Sequence, residues 1–591
     1  MIPAPTLLLR ERSLPRRHSV DVTVGGEIRR VETGTRLRAL LPAEVLGAPV
    51  VAALLGHKAV SLDTPATSAA RVEPLTTAHW EGKRIYRQSL GLLLLEAAAR
   101  VDPGGAARLG PSMGYGQRVT RAGGEEALAD APWADRVMEE MRALVARDVP
   151  FRQEIWTLDE ARAHFAEQGW NDAVLLVRMV RESAALLVTC GALYALAQGP
   201  MVPSAGVLGR FPFGLEVAER GLLLRYGDEE EGGPSEGAVP HAAPPSSRAP
   251  ESEPPRSSPP PLLPRRSDGV DELWLGTLGI TSVGAFNEAC VVGSVPQIIR
   301  VCEGLHEKRI GQIADTIAAR GGAVRVICIA GPSSSGKTTF IKRLTVQLQV
   351  DGIHPVALSL DDYYLDRDKT ARDAAGEYDF ESFEALDARL LQDHLARVLA
   401  GEAVKTARFD FATGLSHPEG GPVVALGPSD VLLVEGIHGL NPRLLGACVR
   451  PEQVFRVFLQ PMTALPFDAL SRVNVSDLRL LRRIVRDRHA RGATAALTIH
   501  RWPRVREGER RHIFPHLGAA DALFDSSLVY EPSVIKVYAE RYLLEVPEDD
   551  PAFVTAHRLR RLVDRFVAIY PDHVPPTSIL REFIGGSGFE Y

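Results

Sequence analysis

The chain has 591 residues, too many for one hydrophobic core, and its length predicts three or four domains. A formal charge of -6 with 24% charged residues excludes a strongly basic field that would steer the whole chain onto nucleic acid or a membrane, leaving only local patches. The five cysteines, Cys190, Cys290, Cys302, Cys328 and Cys448, are scattered and lack C-x-x-C spacing, which argues against zinc or a redox pair and predicts a reducing, cytoplasmic setting.

In chain order, the start has three consecutive leucines but no long apolar core and no small-residue cleavage site, so no signal peptide is expected. Residues 18–75 carry short alternating runs (SVDVTV, EIRRVE, PVVAALL, KAVSLD) broken by glycine pairs and proline, predicting a small mixed sheet with one helix. Residues 84–101 read as a helix stopped by Asp-Pro-Gly-Gly, opening an α+β domain over 76–227. Its apolar stretch at 184–197 is too short for a membrane span and is predicted to be core. Residues 228–268 turn acidic and then Pro-, Ser- and Ala-rich, a composition that predicts a disordered linker or insertion. A connecting segment, 269–322, holds a helical pattern at 294–320.

Strand candidates at 324–330, 355–360, 430–434, 454–459 and 523–529 alternate with helical stretches across 323–545. That order predicts an α/β domain with a doubly wound parallel sheet, which binds its ligands at the carboxyl ends of the strands. A helical tail is expected over 546–591.

After the first of these strands comes Gly331-Pro-Ser333-Ser334-Ser335-Gly336-Lys337-Thr338-Thr339. Glycines let backbone N–H groups approach phosphate oxygens, Lys337 adds a point charge and Thr338 offers a magnesium ligand. Asp361-Asp362 and Glu435 each end a later apolar strand. One acid there can take a hydroxyl proton and another can hold magnesium or its waters. Arg479, Arg482, Arg483 and Arg486 fall three or four residues apart and are expected to share a helix face that closes over phosphates.

The motifs GPSSSGKTT, LSLDDYY, YDFESFEALD, FDF, VLLVEGIHGL and RRIVRDRHARG occur in the order seen in the uridine kinase and phosphoribulokinase family, which residues 324–540 resemble. The resemblance implies ATP and Mg2+, with Asp361 as general base towards a nucleoside 5'-hydroxyl and Glu435 as the magnesium-associated acid. It implies Lys337 and Arg486 as catalytic cations, and Arg483 and Arg491 as further phosphate ligands. Glu381, Phe409 and Phe411 then lie at the acceptor. Phe409 and Gly414 replace a tyrosine and a histidine that bond the pyrimidine, and Ala493 replaces an arginine after the lid glycine. A kinase of another small alcohol or a sugar phosphate is the alternative within enzymes. A nucleotide-gated RNA-binding regulator is the alternative of another class.

Residues 18–227 resemble the N-terminal region of threonyl-tRNA synthetase, a β-grasp module followed by an editing domain. Gln88, Leu92, Ala197 and Met201 stand where that domain carries its two helix histidines and a later cysteine and histidine, so neither hydrolysis nor zinc is expected there. RNA binding, a small regulator and packing against the kinase all stay open for this half, as does oligomerisation. The three-part order, and the tail ILREFIGGSGFEY, are similar to a bacterial family of fused nucleoside kinases.

Overall fold

The computed structural model describes residues 18–105, 107–112, 116–121, 131–218, 221–227, 270–372, 376, 378–411 and 413–590. The expected linker at 228–268 and the first 17 residues lie outside these.

Alternation in the first segment produces a strand whose inward side chains, Val20, Val22 and Val24, are buried. Ser19–Val24 pairs antiparallel with Glu27–Glu32 and parallel with Ala70–Thr76, which in turn runs antiparallel to Ala48–Leu55. The sheet is therefore mixed, and its last strand passes residue 75. The expected helix within 18–75 is only a 3-10 turn, Leu37–Ala39. Gly34 and Pro42 leave too few residues between them for helix nucleation to be repaid.

The helix expected at 84–101 runs over Trp80–Val101, starting earlier because the His79 side chain accepts the Glu81 N–H as N-cap. Leu90 and Leu92 to Leu95 are all buried, so this helix is covered nearly all round. The apolar stretch at 184–197 folds into two antiparallel strands, Ala184–Cys190 and Leu193–Leu196, and lies in the core. Among the described residues no helix is long and apolar enough to cross a membrane.

Beyond a helix at Val295–Ala318, the elements that position the site are β1 (Val326–Ala330), α1 (Lys337–Val350), β2 (His354–Ser359), β3 (Asp430–Glu435), β4 (Val454–Gln460), α2 (Val475–Arg491), α3 (Ala495–His512), β5 (Ala522–Asp525) and α4 (Glu531–Leu544). All five strands are parallel, in the order β2-β3-β1-β4-β5. Every residue of β1 is buried, as a central parallel strand requires. The chain crosses to opposite sides of β1, creating at its carboxyl end the crevice in which such sheets bind ligands. The expected strand at 523–529 stops at Asp525. That carboxylate accepts the Met462 and Thr463 amides at 2.7 and 2.9 Å and the Ser527 amide at 2.9 Å, turning the chain away from the sheet.

One core cluster joins both halves, running from Val51 and Leu75 to Phe583 and Ile584, while the first sheet keeps a separate cluster around Val20, Val22 and Val72. Charged groups are buried along the seam. Arg558 donates to Glu81 at 2.7 and 2.8 Å and to Asp477 of α2 at 2.7 and 3.0 Å, and Thr555 donates to Glu81 at 2.9 Å. The Leu109 amide reaches the Ala469 carbonyl at 2.8 Å, and the Leu196 amide reaches Asp468 at 3.0 Å. The tail is only partly helical, with helices at Phe553–Asp564 and at Arg581–Ile584, here α5. Its Ile579, Leu580 and Phe583 are core residues.

Candidate active site

The loop from Gly331 to Gly336 leaves the buried end of β1 and opens α1 at Lys337. Its geometry is tight. Ser334 and Gly336 adopt left-handed backbone, φ +58° and +96°, and a side chain added at Gly331 would collide with the Leu459 carbonyl of β4. Because that obstacle is sheet backbone, Gly331→Ala is expected to displace the loop, costing about 1–3 kcal/mol in stability and abolishing ATP binding. Urea denaturation and calorimetric titration would check both. Lys337 Nζ donates back to the carbonyls of Gly331 at 2.8 Å and Pro332 at 3.3 Å, which holds the ammonium over the loop. Thr338 is exposed, whereas Ser334 and Ser335 are buried with hydroxyls that have no partner among the described residues.

Two of the four arginines expected over the phosphates stand behind the loop instead. Arg479 is 2% exposed, pairs with Glu509 and donates to the Ser333 carbonyl at 2.9 and 3.0 Å. Arg482 pairs with Glu531 at 2.5 Å, both fully buried, and donates to the Ser335 carbonyl at 3.2 Å. These cations brace the loop from within. Spacing alone could not separate them from their neighbours, because the partner carboxylates come from α3 and α4. Arg483 does reach the loop's outer side, donating to Ser333 Oγ at 2.9 Å. Arg483, Arg486 and Arg491 converge on Asp487, at 3.3, 2.7 and 3.8 Å. One carboxylate thus gathers three guanidinium groups, which keep further donors for a phosphate.

Opposite them stand the carboxylates. Ser359 ends β2, where its hydroxyl accepts the Asp361 N–H at 3.3 Å and donates to Glu435 at 2.8 Å. This serine links the two acids, a role that sequence reading missed. Its signal is a hydroxyl two residues before an acid at a strand end. Asp361 is exposed at the mouth of the cleft, where the crowding of the cleft walls, then the neighbouring Glu435 charge, push its carboxyl up to about 6, against the pull of Lys337 and Arg491. Glu381 packs on Gly508 of α3, and burial followed by the Glu509 charge raises it to about 7. A carboxyl poised near neutrality can accept a proton, as a general base must.

Thr339 lies in the first turn of α1. Its amide and hydroxyl both donate to Glu582 of α5, at 3.1 and 3.2 Å, so a carboxylate from the tail sits on the first turn of α1. Phe409 and Phe411 meet edge to face at 5.0 Å, and Tyr364 meets them at 5.7 and 6.4 Å. Phe409 is buried, whereas Phe411 is 62% exposed at the rim. Gly414 takes φ +76°, and any side chain there would press on Arg367, whose guanidinium donates to the Phe411 carbonyl at 3.0 Å.

Among the described residues no group of three or more His, Cys, Asp or Glu is placed to hold a metal ion. An exposed Thr338 hydroxyl and the Ser359-oriented Glu435 nevertheless fit magnesium, which takes one or two protein oxygens and completes its shell with phosphate and water. In the N-terminal half, Leu92, Ala197 and Met201 are buried in the core. The Ser89 hydroxyl there donates to the Ile85 carbonyl at 2.7 Å and accepts the Val202 amide at 3.0 Å.

A phosphate loop at the switch point of a parallel sheet, with acids ending the neighbouring strands and an arginine helix alongside, defines a P-loop kinase domain. Residues 326–530 match the model of the Phosphoribulokinase / Uridine kinase family. The uridine kinase of Staphylococcus aureus strain JH9 is 32% identical over 181 residues, covering 30% of this chain and 76% of its own, and that of strain Newman matches equally. A solved structure described as a possible uridine kinase from Bacillus stearothermophilus is 26% identical, over 26% of this chain and 79% of its own, with a TM-score of 0.22. The chain belongs to the phosphoribulokinase/uridine kinase family.

Proposed function

We propose that the protein transfers the γ-phosphoryl group of ATP to the 5'-hydroxyl of a nucleoside. Asp361 takes the hydroxyl proton, a bond forms between that oxygen and the γ-phosphorus, the bond from that phosphorus to the bridging oxygen breaks, and ADP leaves. Lys337 and the arginines gathered by Asp487 neutralise charge spreading over the transferred oxygens. Magnesium, held by Thr338 and Glu435, would draw charge from the phosphates. The observation that carries the reading is the geometry at the strand ends, where Ser359 joins the Asp361 backbone to the Glu435 carboxylate beside the phosphate loop and its lysine.

The acceptor side supports a stacking site. Phe409, Phe411 and Tyr364 offer ring surfaces, and the Tyr364 hydroxyl is already committed to the Phe380 carbonyl at 3.2 Å. Stacking is tolerant of base identity, whereas sites built on hydrogen bonds reject analogues by about 10⁴-fold. Nucleosides of different bases are therefore expected to be phosphorylated with kcat/KM within about tenfold of one another. A screen of nucleosides, sugars and sugar phosphates with ATP and magnesium, with Lys337→Ala as control, tests this. Turnover of sugars or sugar phosphates with none of nucleosides would replace the acceptor assignment.

A further inference from the structure

The contact between the tail and the phosphate loop carries an inference that rests on the ATP reading above. Thr339 is the third residue of α1, so its N–H is among the first-turn donors that have no acceptor within the helix and that favour an anion. Glu582 takes that N–H at 3.1 Å and the adjacent hydroxyl at 3.2 Å. Withdrawal from water pushes the Glu582 carboxyl up, while the Thr339 bond, Arg486 and Lys337 pull it back, so this acid draws on the same cations as a bound phosphate.

The segment carrying Glu582 is seated on the loop at several points. Ile579 fills the space beside Gly336, where any added side chain would strike it. The Phe583 ring lies 5.1 Å from the Arg482 guanidinium that braces the loop. Arg581 ties the segment to the carbonyls of Pro571 at 2.9 Å and Val574 at 2.6 Å.

We propose that residues 578–584 form an autoinhibitory strap, in which the Glu582 carboxylate occupies the Thr339 donors that an ATP phosphate must take, so that nucleotide binds only as Glu582 withdraws. Two anions cannot share one amide donor, so strap and nucleotide compete. The apparent affinity for ATP is then reduced by the fraction of molecules whose strap is closed.

Calorimetric titration of the full chain with magnesium-ATP tests this. Removing the competing acceptor in E582A is expected to tighten ATP about tenfold, which corresponds to a strap closed in roughly nine molecules of ten. E582Q keeps the size of the side chain but lacks the charge, and should fall between E582A and the native chain. A second readout needs no variant: amide hydrogen exchange over residues 579–586 should accelerate when the native protein is saturated with ATP. Unchanged or weaker ATP binding in E582A, or a segment equally protected with and without ATP, would overturn the strap while leaving the kinase reading intact. Failure of both native protein and E582A to bind ATP would overturn that reading and the strap with it.

Discussion

Asp361→Asn is expected to lower the rate of phosphoryl transfer by about 10³-fold, within the range that general-base catalysis contributes, while ATP affinity changes less than about twofold. The amide keeps the shape and the Ser359 contact to the Asp361 backbone but cannot take a proton. The native profile against pH supplies an independent check. Because the surrounding cleft and the Glu435 charge raise the Asp361 carboxyl to about 6, the base form predominates above that value. Native kcat/KM should therefore be level near neutrality and fall tenfold per unit of pH well below 6. The asparagine variant should lose this limb. Equal loss of turnover and of ATP binding in D361N would assign Asp361 to nucleotide binding instead.

Glu531→Leu is expected to destabilise the protein by about 3–5 kcal/mol, because it strands the Arg482 charge where neither partner meets solvent. Urea denaturation would measure this. ATP binding should fall as well, since Arg482 holds the carbonyls of Ser335 and Ser526, at 3.2 and 2.8 Å, only while its guanidinium is fixed. Adding Arg482→Met to Glu531→Leu removes the unpaired charge and should recover much of the stability. ATP binding should not recover, because the loop then loses its brace. A double variant that binds ATP like the native chain would show that the pair serves stability alone. Exposed pairs such as Arg29 with Glu27 should contribute no more than about 1 kcal/mol.

The contrast between these arginines shows where sequence reading stops. Arg479, Arg482, Arg483 and Arg486 lie three or four residues apart, which places them near one another on α2 but leaves open which of them meets water. Glu509 and Glu531, 30 and 49 residues further on, decide it by drawing Arg479 and Arg482 into the interior. Glu582 poses the same problem at longer range, 243 residues from Thr339, with no motif to announce it. The Leu37–Ala39 turn stays short of an α-helix for a local reason that the sequence does contain, the spacing of Gly34 and Pro42.

By itself the sequence determined what depends on neighbours along the chain: the phosphate loop between a buried strand and a helix, the acids ending the next strands, and the parallel α/β alternation, each set by a backbone period and a few obligatory residue types. Only the tertiary structure decided which arginines brace the loop and which face the phosphates. It also decided that Ser359 couples Asp361 to Glu435, that Arg558 ties Glu81 to Asp477 across the seam, and that the tail lies on the loop. Those outcomes depend on charges and ring faces from distant segments meeting where water is excluded, and no local period encodes such encounters.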